Sequence, residues 1–382
     1  MSNRYRSFSL LIILITAFSL RAVFSFINVF YVTLPQGGAD AQRFNRMALE
    51  VLENMDMLTL EFFLTGGTNA IVSVGAVLYS ITSPSMFVMG LFMSVLGTLV
   101  VYYVYKLVKE VTGSKGAGLS AAAFTAVFPQ LILHSALFLR ETPVNLAFLL
   151  AVYYAVLYLK RGSVINLTTS FFAALIAIIF HSGVVSFFIA IVLYIFLYRT
   201  KGIKHAWIKN SFILLVTLGF LFYLNTTGLG LRNFEGDLTN VATQFEEREQ
   251  QGGYGESAYP EWLRYQGEGG ELWKLPLRVV AFVLSPVFPY HFSELIHLLG
   301  FLDAFLYLYL FGYLFVNRKI IPRNQSLYFI VIVVLVFYVF FSFGVSNAGT
   351  AIRHRAKAAP LLIAAVYMVR FAKKLLRKRR TT

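Results

Sequence analysis

Residues 327–371 read LYFIVIVVLVFYVFFSFGVSNAGTAIRHRAKAAPLLIAAVYMVRF. Two apolar runs, Leu327–Phe343 and Ala356–Phe371, are each close to the length a helix needs to cross a bilayer. Between them Ser346–Arg355 places Arg353, His354 and Arg355 with no acid near in sequence. A turn containing Gly349, with Asn347 beside it, can bring backbone N–H groups close to an anion. Arginine's fork matches phosphate oxygens in a two-pronged way, so this stretch reads as a cationic cradle at a membrane boundary. The alternative is that Arg353, Arg355 and Lys357 snorkel to lipid headgroups.

The rest of the chain repeats the apolar pattern. Of 382 residues, 58% are hydrophobic and 13% charged. Soluble domains sit near 45–50% and 25%. Apolar runs recur at Ser7–Val32, Met86–Leu107, Gly116–Ala136, Val144–Leu159, Val164–Phe180, Val184–Tyr198, Ile208–Asn225 and Leu295–Val316. With the two runs quoted above they predict an all-α, polytopic transmembrane bundle of about ten spans. The first run is too long for a signal-peptide core and lacks a small-x-small cleavage site, so it reads as a retained span. It carries Arg21, which either snorkels or touches a lipid-linked phosphate.

Between the first two spans, Phe44, Met47, Ala48, Val51, Leu52 and Met55 recur at helical spacing. They predict an amphipathic helix on the membrane surface. Ala70–Ile81 is too short to span and reads as interfacial or re-entrant, and Trp273–Phe288, broken by Pro276, Pro286 and Pro289, reads as interfacial. The chain therefore forms one integral membrane domain over 1–382. It comprises a module at 7–225, an outer loop with interfacial helices at 226–290, and three spans with a basic tail at 291–382.

Charge tests this layout independently. With the N-terminus cytoplasmic, the inner segments hold 21 of the 33 lysines and arginines, and Glu110 alone of the 18 acids. Positive charge thus stays inside at every loop, with both termini cytoplasmic. The net charge of +15 belongs to the membrane surface and the basic tail, where anionic lipid holds it, and not to nucleic acid. The absence of cysteine excludes disulfides, thiolate catalysis and Cys-based zinc sites.

Polar residues then gather on the outer face: Asp40, Arg140–Glu141, His181, the 226–272 loop, His291, Glu294 and the Arg353–Arg355 cradle. An enzyme working at that boundary needs such asymmetry, whereas a transporter needs its polar groups near mid-bilayer. Asp303 is the one acid deep within a span; it is either a proton or cation site or the partner of a polar group on a neighbouring helix. Asp40 suits a general base or a helix N-cap. Arg140 and Glu141 form a structural ion pair, or else Arg140 holds a substrate phosphate while Glu141 orients an acceptor or a metal. Tyr254, Tyr259, Trp262, Tyr265 and Trp273 could stack on sugar rings, or form an interfacial aromatic belt. His134, His181, His291 and His354 show no metal-ligand spacing, so no metal site is assigned. No P-loop, GxSxG or dinucleotide fingerprint is present.

The order of elements resembles the GT-C superfamily of membrane glycosyltransferases, in the protein O-mannosyltransferase-like branch (glycosyltransferase family 39 relatives). A first span, an outer segment opening on an acid and two surface helices lead into VGAVLYSITSPSMFVMGLFMSVLGTLVVYYVYKLVKEVTG and FPQLILHSALFLRETPVNLAFLLAVYYAVLYLKRG. The likeness covers about residues 7–200. SNAGTAIRHRAKAAPLLIAAVYM is similar to the N-x-G-x-x-x-R-x-R…P segment of GT-C-like proteins found with bacterial surface-polysaccharide genes, and LRETP to their L-R-E stretch.

The resemblance implies an inverting transfer of a sugar from a polyprenyl-phosphate carrier to a glycan or glycolipid acceptor. The reaction would take place on the outer face of a bacterial cytoplasmic membrane. Asp40 inherits the base role, joined by Glu141. Arg140, Arg353, His354, Arg355, Asn347, Arg21 and His181 become the substrate-binding set. No cofactor follows from the residues. A divalent cation stays open, because one acid stands at position 40 where the family carries an acidic pair. No soluble domain follows the last span, so the acceptor has no guide. Two rival readings are a surface-polysaccharide polymerase joining lipid-linked repeat units, which needs no acid in the first loop, and a flippase or secondary transporter of lipid-linked sugar centred on Asp303.

Overall fold

Capping side chains, glycines and prolines cut the apolar runs into helices of defined length. The computed structural model describes residues 3–198, 206–227, 257–265, 271–288 and 295–381. It opens on α1 (Asn3–Phe30), followed by a short turn and α2 (Ala39–Glu53). Then come α3 (Leu60–Leu64), α4 (Thr68–Ile81), α5 (Met86–Thr112), α6 (Lys115–Ala126) and α7 (Pro129–His134). The middle of the chain forms α8 (Glu141–Arg161), α9 (Val164–Phe180), α10 (Ser186–Leu197) and α11 (Ala206–Thr227). The last five are α12 (Leu275–Leu284), α13 (Leu295–Val316), α14 (Gln325–Phe343), α15 (Ala348–Arg355) and α16 (Ala359–Thr381).

Local chemistry accounts for the boundaries. Ser85, Ser114 and Asn324 each accept a first-turn N–H at the start of α5, α6 and α14. Gly113 and Gly162 end α5 and α8 in the left-handed conformation, at φ +68° and +71°, which an L side chain adopts only with strain. The stretch expected to span at Gly116–Ala136 is broken. Pro129 opens α7 and holds Phe128 extended at φ −68°, ψ 119°, because the residue before a proline is pushed out of the helical region. That break turns the chain toward the first loop instead of carrying it straight through.

Six described helices are long and apolar enough to cross a membrane: Ser9–Phe30, Met86–Thr112, Glu141–Arg161, Asn210–Thr227, Leu295–Val316 and Gln325–Phe343. Val164–Phe180 and Ser182–Leu197 are apolar but shorter, and the last expected span continues as α16 to Thr381. In α8 and α14, 78% and 67% of the apolar window is buried inside the bundle, against 17% in α1. The two central helices therefore form the core, and α1 offers its outer side to lipid. Gly97 on α5 permits α1 to approach: a Cβ there would lie 2.7 Å from Arg21 Nε and 2.6 Å from Ser135 Oγ.

α2 follows the expected stripe except at Met55, which falls in the 3-10 turn after the helix and is exposed. Ala41, Phe44, Ala48 and Val51 of α2 are buried, and α2 packs on α4, whose 14 residues are too few to span. α12 begins at Leu275, with Pro276 in its first turn, and ends at Leu284 before Pro286, in keeping with the interfacial reading of 273–288. Tyr254, His291 and Glu294, together with most of the 226–272 loop, lie outside the described residues.

Candidate active site at the Arg353 cluster

Three segments distant in sequence meet at Arg353. The turn after α1 delivers Asp40 at the first turn of α2, the break after α7 delivers Glu141 at the start of α8, and α15 delivers Arg353 itself. The Arg353 guanidinium donates through Nη1 to Asp40 Oδ2, and through Nε and Nη2 to Glu141 Oε1 at 3.2 and 3.0 Å. Lys357 Nζ stands 3.5 Å from the same Glu141 oxygen. Arg43 Nη2 reaches the other oxygen of Asp40 at 2.9 Å. The cradle is thus not bare, as its sequence neighbourhood suggested: two acids have been folded against it.

The two acids differ in access. The Asp40 side chain keeps 27% of its surface exposed, while Glu141 keeps 2%. Glu141 Oε2 has no hydrogen-bond partner, nor do Lys357 Nζ, Arg140 Nε, His134 Nδ1 and His354 Nδ1. Arg43, Arg140, Arg353 and Lys357 face Asp40 and Glu141, so cations outnumber carboxylates in a partly desolvated place. Buried charge without a counterion is costly, so such an imbalance suits an arriving anion.

Burial alone would lower the Arg353 guanidinium, but Glu141 and Asp40 outweigh it and hold the group above its ordinary range. Burial lowers that of Arg140. His354 is held well below its usual range by burial, with Lys357, His181 and Arg353 adding to it, so the imidazole is neutral.

The remaining predicted residues are distributed unevenly. Arg140 does not pair with its neighbour Glu141; its guanidinium lies 5.7 Å from the centre of the Phe44 ring. His181 caps the turn after α9 and meets His354 ring to ring at 4.8 Å, with Phe341 against both. Asn347 caps α15, its Oδ1 accepting from Gly349 N at 2.9 Å and Thr350 N at 3.2 Å. Its Nδ2 donates to Ser257 Oγ at 2.8 Å. Tyr259 N donates to Ser346 O and Ala348 N to Ser257 O, so the end of the long loop runs antiparallel beside the cradle.

Two predicted phosphate ligands stand elsewhere. Arg355 is fully buried on the other side of α15. It donates to the carbonyls of Val283, Ser285 and Gly300 and lies 3.5 Å from Asp303 Oδ2. It is committed to backbone at the end of α12 and to α13, and Asp303 is the buried partner of a cation. Arg21 neither snorkels nor joins the cluster among the described residues. It donates to Ala17 O at 2.8 Å and Ala126 O at 3.1 Å, between α1 and α6. Of the loop aromatics, Tyr259 is buried with its hydroxyl 3.0 Å from Ser285 Oγ, and Tyr265 stacks on Phe343 under Arg278. Trp262 and Trp273 are exposed.

Gln36 and Arg43 were not singled out in the sequence, and Lys357 was named there only as a residue that could snorkel to lipid headgroups. Gln36 Oε1 lies 2.9 Å from His134 Nε2 and ties the first loop to the α7 break. Lys357 was readable, since four residues from Arg353 is one helical turn and the same face.

This architecture has known counterparts. The sequence profile of the dolichyl-phosphate-mannose-protein mannosyltransferase family matches residues 73–227. Among solved structures, that of ArnT from Cupriavidus metallidurans, bound to undecaprenyl phosphate, superposes with a TM-score of 0.54 at 16% sequence identity. The match takes in 96% of this chain. The fold of this chain is shared with ArnT. The chain spans 60% of the length of ArnT. No curated protein sequence matches it.

Proposed function

We propose that the protein is a glycosyltransferase that moves a sugar from a polyprenyl-phosphate carrier to a hydroxyl of a glycan or glycolipid acceptor. The reading places the work at the outer face of a bacterial cytoplasmic membrane. The observation that carries it is the Arg353 cluster, in which one accessible and one buried carboxylate stand among four cations. ArnT, bound to undecaprenyl phosphate, lends support through the shared fold, because a lipid phosphate supplies the negative charge that this cluster lacks.

In this mechanism Asp40 is the base. Its exposed carboxylate takes the acceptor's hydroxyl proton as that oxygen attacks the anomeric carbon. The bond between the anomeric carbon and the phosphate oxygen breaks, and the electron pair leaves with the phosphate. Arg353, Arg140 and Lys357 neutralise the charge growing on it. Glu141, too buried to meet an acceptor, holds Arg353 and Lys357 in place. His354, a neutral imidazole, packs ring to ring with His181, and Asn347 fixes the start of α15.

The test is turnover of a radiolabelled polyprenyl-phosphate sugar by reconstituted protein, with total envelope glycolipid as acceptor. Asp40→Asn should lower the rate about 10²- to 10⁴-fold while the protein stays folded. Full activity in that variant would overturn the assignment of the base and favour a polymerase that needs no acid there.

A further inference from the structure

A second concentration of positive charge lies at the other end of the bundle and takes no part in the chemistry above. Lys357, in the turn just before α16, and Arg370 on that helix are separated by roughly 20 Å at 1.5 Å per residue. There a cavity of about 960 Å³ opens between the first turn of α6, the last turns of α13 and the basic end of α16. Arg370, Lys373, Lys374, Arg377 and Lys378 line it, and among the described residues that line it there is no Asp or Glu. Glu110 is the acid expected at that end, and it is taken by Lys160 at 2.8 Å and Arg161 at 3.1 Å.

Helical spacing sets Arg370, Lys374 and Arg377 on one face, one turn apart. Tyrosines complete the wall. The Arg370 guanidinium lies 5.2 Å from the Tyr367 ring centre and Lys373 Nζ 5.7 Å from that of Tyr313. Aromatic faces hold the cations in position without neutralising them. Tyr309, one turn before Tyr313, is exposed on the cavity's edge. On the same face of α13, Phe305 and Leu302 are also exposed, so an apolar strip runs from the cavity along the bundle.

We propose that this cavity binds the headgroup of an anionic phospholipid, with the phosphate among Arg370, Lys374 and Arg377 and an acyl chain along Tyr309, Phe305 and Leu302. A soluble phosphate would use the cations but not the apolar strip, and the strip is what favours a lipid. Basic pockets between membrane helices take such headgroups, and each Lys or Arg near the surface adds to the attraction.

Native mass spectrometry of the purified full-length chain, titrated with phosphatidylglycerol and with phosphatidylcholine, tests the assignment. One phosphatidylglycerol should bind about tenfold or more in preference to phosphatidylcholine. The triple variant Arg370→Gln, Lys374→Gln, Arg377→Gln should lose that preference. Removing as many charges outside the cavity, by Arg318→Gln, Lys319→Gln, Arg323→Gln, should leave it. Equal losses in the two triple variants would mean diffuse surface charge and overturn the site. Inorganic phosphate at millimolar concentration should compete weakly; if it displaces the lipid completely, the ligand is a soluble phosphate and the lipid assignment falls. Size-exclusion profiles and thermal unfolding of both variants separate lost binding from lost folding. Sugar transfer measured in neutral lipid should be the same in both variants.

Discussion

Arg353 and Arg355 lie two residues apart on one eight-residue helix and have been put to opposite uses. Arg353 faces side chains: its partners are carboxylates that arrive from two other parts of the chain, and it retains 18% of its surface. Arg355 faces backbone. Three carbonyls and Asp303 enclose it completely. Two of those carbonyls, Val283 and Ser285, lie at the end of α12, where carbonyls have no partner within their own helix, so an arginine that fills them is a structural clamp. An arginine held between carboxylates, beside unsatisfied lysine and arginine nitrogens, can exchange one anion for another. The difference teaches that a basic pair in sequence is no guide to a shared function; the side of the helix decides.

The largest effect should come from the clamp. Arg355→Gln leaves Asp303 as a buried acid without its cation, which costs on the order of 3–5 kcal/mol. The variant should unfold at much lower temperature in detergent, and adding Asp303→Asn should restore part of the loss, as expected for groups in contact. If Arg355→Gln instead unfolds like the parent protein but no longer binds donor, the contrast between the two arginines is reversed.

Next comes the reactive side. Arg353→Gln should lower kcat/KM for the lipid-linked donor about 10- to 100-fold, the range expected on losing a hydrogen-bonded charge. Its thermal stability should change far less than that of Arg355→Gln, because Glu141 keeps Lys357 at 3.5 Å and Asp40 keeps Arg43 at 2.9 Å. Donor titrations of both variants, read beside their melting curves, sharpen the comparison. A stability loss equal to that of Arg355→Gln would make Arg353 a second clamp.

The same helix shows where sequence reading succeeds and where it stops. Apolar runs and the stripe on α2 were legible, because burial against lipid or a neighbour imposes a period on side chains. The cationic character of Ser346–Arg355 was legible as well. The partners were not. Arg353 meets Asp40 across 313 positions and Glu141 across 212, and periodicity tells which face is buried without telling what it is buried against. Arg355 and Arg21 were misassigned for a related reason. Their partners are mostly main-chain oxygens, which every residue carries and no side-chain pattern reveals. The break at Pro129 was the exception, since proline's effect on Phe128 is local and could have been read.

The smallest effect concerns what holds α15 in its orientation. Asn347 does two jobs with one amide: Oδ1 caps the helix at Gly349 and Thr350, and Nδ2 holds Ser257 at the end of the long loop. Asn347→Ala removes both and should cost about 1 kcal/mol, as loss of a cap does. A tilt in α15 moves Arg353 away from Asp40, so activity should fall severalfold beyond what the lower stability explains. Asn347→Asp separates the jobs, since aspartate caps as well as asparagine but cannot donate to the Ser257 hydroxyl in the same way. If the aspartate variant matches the parent in both melting and turnover, the cap alone orients the two arginines. If it melts normally yet turns over as slowly as Asn347→Ala, the loop tether sets the register of Arg353. Opposite uses of neighbouring arginines then depend on a strand-like contact outside their own helix.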